Sequence, residues 1–152
     1  MKRKEKEITD RAEIDKIIHG SDVCHLGFAA GNKPYVVPVS FGYDGSFLYI
    51  HTAKSGKKID CAAANPKVCF EMVRNVRLVT NESKGCKWTF SFESVIGYGE
   101  IEELTDPIDK VFGLNQIMLQ YSNREWPFEP HELASTRIWR ISIDTITGKR
   151  SA

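Results

Sequence analysis

Between a predicted strand and a predicted helix, the chain carries hydroxyl, glycine and lysine residues in an order suited to binding a phosphate group. The segment reads His51-Thr52-Ala53-Lys54-Ser55-Gly56-Lys57-Lys58. Backbone N–H groups at a helix N-terminus are unpaired and carry the positive end of the helix dipole, so an anion there gains several hydrogen bonds. Gly56 allows close approach, the hydroxyls donate, and the lysines add charge-assisted bonds. We name residues 51–58 the cradle and predict that it binds phosphate.

Other interpretations of these residues stay open, and other chemistries find little support. The lysines of the cradle also fit the solvated start of a helix. Neither GxxxxGK[ST] nor GxGxxG occurs, which argues against a nucleoside triphosphate. The histidines and cysteines lack metal-site spacing, and no serine lies in a GxSxG elbow, so neither a metal nor acyl transfer is predicted. The four cysteines are expected to be reduced and mostly buried, although Cys86 falls in a polar segment and could be exposed.

Composition limits the classes of protein to consider. The 152 residues include 21 Lys+Arg and 20 Asp+Glu, a formal net charge of +1, which gives no overall field to attract nucleic acid or an acidic membrane. No apolar run approaches the roughly 20 residues of a membrane span. The basic start leads into a polar helix pattern and not into a secretory signal, so a cytoplasmic protein is expected. Without repeats or linkers, residues 1–152 are predicted to form one domain.

The elements that must hold the cradle are mainly strands. Alternation and turn residues predict about six, over residues 23–30, 34–43, 46–53, 67–73, 88–104 and 136–146. The Asp44-Gly45 turn joins the second to the third, so the first three are predicted to form an antiparallel meander. Gly97 and Gly99 indicate a bend or bulge in the fifth.

Two or three helices accompany these strands. One follows Asp10 and ends at Gly20, a second covers residues 57–64, and a third follows the Asp106-Pro107 cap. The third is expected to bury a stripe formed by Ile108, Val111, Phe112, Met118 and Leu119. The fold class predicted is therefore mainly β, a small antiparallel barrel with two or three helices.

The order of the motifs resembles that of one known family. P-Y-x-x-P-x, D-G, H-x-A, G-x-K and N-P-x-V-x-F occur in that order, followed by ESVIGYGEIEEL and ISIDTITGKR. This arrangement, over residues 22–150, is similar to the FMN-binding split-barrel family related to pyridoxamine 5'-phosphate oxidase, and most of all to its small nitroimidazole-resistance (Nim-type) proteins.

The resemblance implies a homodimer with two FMN molecules in clefts between the subunits, because a flat flavin needs two walls and one small barrel offers only one. The backbone of the strand that carries Val36, Pro38, Val39 and Ser40 is expected to pair with the edge of the flavin ring. His51, Thr52 and Ala53 are expected at the ribityl and phosphate end, with Gly56, Lys57 and Lys58 on the phosphate. Ser94 and Val95 of the second subunit would close the other wall.

The function implied is that of an FMN-dependent oxidoreductase or reductase. Its electron acceptor would be a small aromatic or nitro-aromatic compound such as a nitroimidazole antibiotic, with NADH or NADPH as candidate electron donor. Candidates for the stacking face are Trp88, Phe90, Tyr98 and Trp126, although each residue type is more often found in a core. The chain lacks the arginine-rich C-terminal segment of the oxidase proper, so pyridoxamine-phosphate oxidase activity is not expected.

Two alternatives remain. One is a non-catalytic carrier or sensor of flavin or haem, with His25 or His51 as axial ligand. The other is a dimeric module whose lysines bind RNA phosphates, against which the balanced charge and the absence of interleaved aromatic residues argue.

Overall fold

The computed structural model of the protein describes residues 3–151. In this range the strands are β1 (Glu7–Ile8), β2 (Cys24–Ala30), β3 (Lys33–Val39), β4 (Gly42–Tyr43), β5 (Phe47–Thr52), β6 (Lys67–Val79), β7 (Thr89–Leu104), β8 (Arg137–Ser142) and β9 (Thr145–Ser151). The α-helices are α1 (Arg11–His19), α2 (Lys57–Ala64), α3 (Pro107–Ser122) and α4 (Pro130–Ser135). All strand pairs are antiparallel, which confirms the predicted mainly-β class.

The sheet curls so that its two end strands approach each other without pairing. Its strand order is β3-β2-β6-β7-β8-β5-β4, and β9 pairs with both β7 and β1. Only Ser40 and Phe41 separate β3 from β4, yet these strands lie at opposite ends of that order. The chain can make this short step only because the sheet curls round as a barrel, which stays open between β3 and β4 because these two strands do not pair.

The predicted meander is wrong, because residues 34–43 form two strands that belong to different ends of the sheet. β3 pairs with β2, whereas β4 pairs with β5. At the break, Phe41 is fully buried and its N–H donates to the hydroxyl oxygen of Tyr121 at 3.1 Å instead of to a strand. A core contact with α3 therefore ends the ladder.

Nine strands replace the predicted six for three local reasons. Residues 34–43 divide into two strands as described, and the short β1, which was not predicted, pairs with β9. Residues 136–146 also divide into two strands, because Ile143 and Asp144 leave the ladder. At this break the Asp144 N–H donates to the Tyr98 carbonyl at 2.8 Å. The fourth helix, α4, begins at a reciprocal capping box between Glu129 and Glu132.

Local capping signals place the helix starts correctly. The Asp10 side chain accepts from the Glu13 N–H at 3.1 Å, Asp106 caps α3, and α2 covers the predicted residues 57–64. No helix in residues 3–151 is both long and apolar enough to cross a bilayer.

The predicted buried stripe of α3 is wrong. Ile108 is 80% exposed, and Phe112 and Leu119 are exposed as well, whereas Val111 and Met118 are half-buried. The buried side of the helix carries Gly113, Asn115 and Ile117. α3 meets β4 so closely that a Cβ atom on Gly42 would overlap the backbone at Gln116. Backbone fit, which favours small residues, therefore decides the face that α3 buries.

β7 changes its partner where its glycines lie. It pairs with β9 through residues 92–98 and with β8 through residues 101–104. A Cβ atom on Gly97 would overlap the Phe70 ring, and one on Gly99 would overlap the Ser142 carbonyl. The bulge lies elsewhere, in β6 between Arg74 and Arg77.

Candidate functional site

The cradle surrounds a cavity of about 120 Å³ at the junction of β5 and α2. The cavity is lined by Tyr35, Thr52, Ala53, Ser55, Gly56, Lys57, Lys58 and Ile59. Five of the predicted site residues, at positions 52, 53, 56, 57 and 58, therefore lie around one cavity.

The N-terminus of α2 offers backbone donors to this cavity. Gly56, its N-cap, has φ 145°, which lies in the region that only glycine adopts without strain, and no side chain caps the helix there. The N–H groups of Ile59 and Asp60 both donate to the Gly56 carbonyl at 3.1 Å. The N–H groups before them lie in the first turn, where the helix itself supplies no acceptor. An anion in the cavity would supply one.

Two side chains that sequence reasoning missed support the cradle. The buried Thr52 hydroxyl accepts from the Trp139 indole N–H at 2.9 Å and donates to the Ala53 carbonyl at 2.9 Å. The Lys57 ammonium lies 4.4 Å from the centre of the Tyr35 ring, within cation–π range. Trp139 thus fixes Thr52, and Tyr35 holds Lys57 at the cavity wall. Tyr35 belongs to the P-Y-x-x-P motif, whereas Trp139 gave no signal beyond its strand pattern.

The predicted ring-binding residues lie on β3, which ends the sheet. Among the described strands β3 pairs only with β2, so one row of its backbone groups has no strand partner. Pro34 and Pro38 fit this position because an edge strand tolerates residues without an N–H. Val36 is 67% exposed and Ser40 is also exposed, while Val39 points into the core. The free edge of β3 can therefore offer backbone donors and acceptors.

His51, the first residue of the predicted cradle, does not line the cavity of the cradle. Successive strand residues point to opposite faces, and Thr52 points to the barrel core. His51 lines a second cavity of about 240 Å³ with Leu114, Ile117, Met118, Phe128, Glu132 and Thr136. Burial lowers the pKa of His51 below its usual 6.5, and the charge of Lys58 lowers it further. The imidazole is therefore kept neutral near pH 7.

Ser94 and Val95 lie in the middle of β7, away from the cradle cavity of their own chain. Val95 is fully buried in the barrel core, so only its backbone could meet another subunit. Ser94 points to the opposite face of the strand. Their predicted contribution to the site of a second subunit stays a prediction.

The aromatic candidates for a stacking face are surface residues. Trp88, Phe90, Tyr98 and Trp126 are all exposed, so none is a core residue. Cys24 and Cys61 are buried, Cys69 is half-buried and Cys86 is exposed. Burial raises the pKa of Cys24 to about 12, which makes it inert at neutral pH.

Comparison with known proteins places the chain among relatives. A family model described as pyridoxamine 5'-phosphate oxidase matches residues 10–150. A crystal structure of a protein proposed to confer 5-nitroimidazole antibiotic resistance, from Bacteroides thetaiotaomicron, is 30% identical. It superposes with a TM-score of 0.84 over 95% of this chain and 86% of that chain.

More distant proteins share the fold or a part of the sequence. The FAD and haem binding protein from Mycobacterium smegmatis is 18% identical, with a TM-score of 0.82 over 96% of this chain and 73% of that chain. An uncharacterised protein from Rhizobium meliloti (strain 1021) is 29% identical over 65 residues, and the match spans less than half of either protein, 43% and 42%. Because the family model covers nearly all of the sequence and the same barrel is found in these structures, the chain belongs to the pyridoxamine 5'-phosphate oxidase family.

Proposed function

We propose that the protein is a homodimeric FMN-binding oxidoreductase that passes electrons to a small aromatic or nitro-aromatic acceptor. The observation that carries the proposal is the 120 Å³ cavity at the uncapped start of α2, lined by Lys57 and Lys58. Family membership supports it, as does the similarity to a protein linked to nitroimidazole resistance. Bound FMN would supply the redox chemistry by taking up and passing on electrons.

The donor set of the cradle fits a phosphate ester. Backbone N–H groups, the hydroxyl of Ser55 and two ammonium groups surround one small cavity, whereas the hydroxyl proton of Thr52 already bonds to the Ala53 carbonyl. A hydrogen bond to a charged group contributes about 1.5–3 kcal/mol, so a few such bonds can anchor a dianion. The size of the cavity suits the single phosphate of FMN.

The free edge of β3 would orient the flavin ring. The edge of the isoalloxazine pyrimidine presents alternating donors and acceptors, as the unpaired edge of a strand does. Pro38 lacks an N–H and can offer only its carbonyl, so donors at this edge must come from residues two positions away, Val36 and Ser40, because backbone groups alternate between the two edges of a strand. Since one barrel offers one wall, the second wall would come from a second subunit, with Ser94 and Val95 near the ring.

The first test is the spectrum of the purified protein, followed by anaerobic reduction with NADH and NADPH. We expect a yellow protein with one FMN per chain. Lys57→Ala/Lys58→Ala should weaken FMN binding at least about 100-fold, because it removes two charge-assisted contacts. Lys54→Ala is the matched control, since Lys54 lies in the same loop but does not line the cavity. Stoichiometric FMN in the double variant would refute the assignment of the cradle.

Turnover is tested by adding a nitroimidazole to the reduced protein. We expect re-oxidation of the flavin to be faster than in buffer, with a reduced nitro compound as product. A protein that binds FMN but re-oxidises no faster than free flavin would be a carrier and not a reductase.

A haem carrier or sensor is the second candidate. His25 Nδ1 lies 2.8 Å from Glu71 Oε2, and a carboxylate partner of this kind often orients a metal-binding imidazole. A Soret band after haem addition, abolished by His25→Ala and accompanied by no FMN uptake, would favour this candidate over the first.

A further inference from the structure

A cavity of about 390 Å³ lies between the end of α1, β4 and the C-terminal half of α3. It is lined by His19, Tyr43, Gln116, Leu119, Gln120 and Asn123. None of these residues lines the cavity of the cradle or the cavity beside His51. The volume falls within the range of about 300–1,000 Å³ that is typical of small-molecule pockets. We name this cavity the amide pocket, because three of its six lining residues carry carboxamide groups.

The carboxamides of the amide pocket occupy positions that helices usually give to apolar residues. Residues 116, 119, 120 and 123 have the spacing i, i+3, i+4 and i+7, so they share one face of α3 and its C-cap. This face is turned toward α1 and β4, which complete the pocket with His19 and Tyr43. Polar side chains where packing favours apolar ones are typical of a functional site.

Two side chains of the pocket are held in place by bonds within the chain. The Gln120 amide nitrogen donates to the His19 carbonyl and to a second backbone carbonyl, at 3.0 Å each, which leaves its oxygen as an acceptor. The Tyr43 hydroxyl accepts from Arg11 and donates to Asp15, at 2.7 Å each, which fixes the ring. The ring centres of Tyr43 and His19 lie 5.4 Å apart. The pocket therefore has a preformed acceptor and a preformed aromatic wall.

The remaining polar groups of the pocket are available to a ligand, and the lining carries no ionic partner. Within residues 3–151, the side chains of Gln116 and Asn123 have no hydrogen-bond partner, in contrast to that of Gln120. No lysine, arginine, aspartate or glutamate lines the pocket. Burial, and then hydrogen bonding to a carboxylate, raise the pKa of Tyr43 to about 12, so its phenol stays uncharged. An ionic ligand would lose water there without gaining a carboxylate, ammonium or guanidinium partner.

The groups that are present fit an uncharged planar heterocycle. A carboxamide forms two parallel hydrogen bonds with a ring edge that has an N–H donor next to an acceptor, as Asn and Gln do with adenine. Aromatic side chains contact the face of such a ring by stacking. A purely apolar ligand fits less well, because it would displace water from the carboxamides without replacing its hydrogen bonds.

We propose that the amide pocket binds an uncharged heterocyclic base, free or as part of a nucleoside, with Gln116 and Gln120 on its polar edge and the rings of Tyr43 and His19 beside its face. The Gln120 oxygen accepts from an N–H or amino group of the base, and the Gln116 amide donates to a neighbouring ring acceptor. The pocket shares no lining residue with the cradle, so the inference does not depend on the proposed function.

The test is a titration of the purified protein with adenosine and uridine as probes. Calorimetry measures the affinity, and the side-chain amide signals in ¹H–¹⁵N NMR spectra report where the probe binds. We expect saturable binding of at least one probe, at one molecule per chain, with shifts of the signals of Gln116, Gln120 and Asn123. Benzoate, a planar anion, and glucose, an uncharged ring that is not aromatic, should not bind.

The main variant is Gln116→Leu, which keeps the size and helix preference of the residue but removes both hydrogen-bonding groups. We expect it to weaken probe binding at least about 10-fold, because two neutral hydrogen bonds are lost. Asn123→Gly should weaken binding by a smaller factor. Its matched control is Asn32→Gly, which should have no effect. Both asparagines have φ 59°, so glycine preserves the backbone at both positions.

The Lys57→Ala/Lys58→Ala variant separates this inference from the proposed function. It should bind the probe as tightly as wild type, whether or not it has lost FMN. Loss of probe binding in this variant would assign the probe to the cradle and overturn the inference. The inference would also be overturned if neither probe binds at millimolar concentration, if benzoate or glucose binds as tightly, or if a folded Gln116→Leu protein retains the wild-type affinity.

Discussion

The two faces of β7 serve different purposes. On its inner face, Val95 is fully buried, and Gly97 and Gly99 leave room for the Phe70 ring and the Ser142 carbonyl. On its outer face, the side chains of Ile96 and Tyr98 remain exposed. Alternate residues of one strand therefore belong to two kinds of surface, one completed within the chain and one left open. Two glycines differ in the same way: a Cβ atom on Gly99 would overlap the backbone of β8, whereas one on Gly27 of β2 would fit. We call the first glycine enclosed and the second open.

The largest expected effect is a loss of stability from a substitution on the inner face of β7. Gly99→Ala would force a methyl group into the backbone of β8, which cannot move aside as a side chain can. We expect a loss of more than about 4 kcal/mol in the free energy of unfolding, or failure to fold. Urea denaturation followed by circular dichroism measures this. Gly27→Ala is the control, with a change within about 1 kcal/mol because its Cβ fits. Similar losses in both variants would contradict the division between enclosed and open glycines.

A second comparison uses one phenylalanine from each kind of surface. Phe70 is fully buried beneath Gly97, so Phe70→Ala is expected to cost about 3–5 kcal/mol through lost burial and the cavity left behind. Phe90 is exposed, and Phe90→Ala should change the unfolding free energy of the monomer by less than about 0.5 kcal/mol. Thermal and urea unfolding at low protein concentration would measure both. A large loss in the Phe90 variant would show that the outer face is needed for folding.

The smallest effect concerns the electrostatics of the cradle. Burial and then Lys58 lower the pKa of His51, so the folded protein binds fewer protons than the unfolded chain. The stability that His51 contributes is therefore complete above pH 6.5 and is lost as the pH falls from there to the folded pKa. Lys58→Ala should raise the pKa of His51, which stays below 6.5 because burial is the larger cause. NMR titration of the ring protons measures it.

The control for this titration is Lys54→Ala, which should leave the pKa of His51 where it is. Added FMN should raise this pKa in the wild type, because a dianion near Lys58 offsets the positive charge. A His51 pKa that does not respond to Lys58→Ala would show that the lysine is too far away to act on the imidazole.

Turns, helix starts and the cradle could be predicted from the sequence, because interactions between residues close together in the chain determine them. The Asp44 carboxylate accepts from the N–H groups of Ser46 and Phe47 at 2.8 and 2.7 Å, so the hairpin before β5 depends on neighbouring residues. The same holds for the start of α1 at Asp10 and for the cradle, whose residues are consecutive. These features need no knowledge of the rest of the fold.

Contacts between distant segments could not be predicted in this way. Phe41 divides β3 from β4 because of a tyrosine on α3, and α3 buries its small residues because β4 approaches its backbone. Nothing near Thr52 in the sequence points to Trp139, and His51 faces a cavity whose other walls come from α3, α4 and their flanking segments. The alternation of β7 predicts two faces but not which of them the rest of the chain covers.

The hydrogen bond between Trp139 and Thr52 has a consequence for biosynthesis. The two residues are 87 positions apart. Trp139 lies on β8, which pairs with β5 along the whole of that strand. A chain leaving the ribosome therefore displays the cradle sequence well before the tryptophan that fixes it has been made. A ligand that needs the fixed Thr52 would be captured only after translation has passed β8, and it would then favour the folded barrel over partly folded chains.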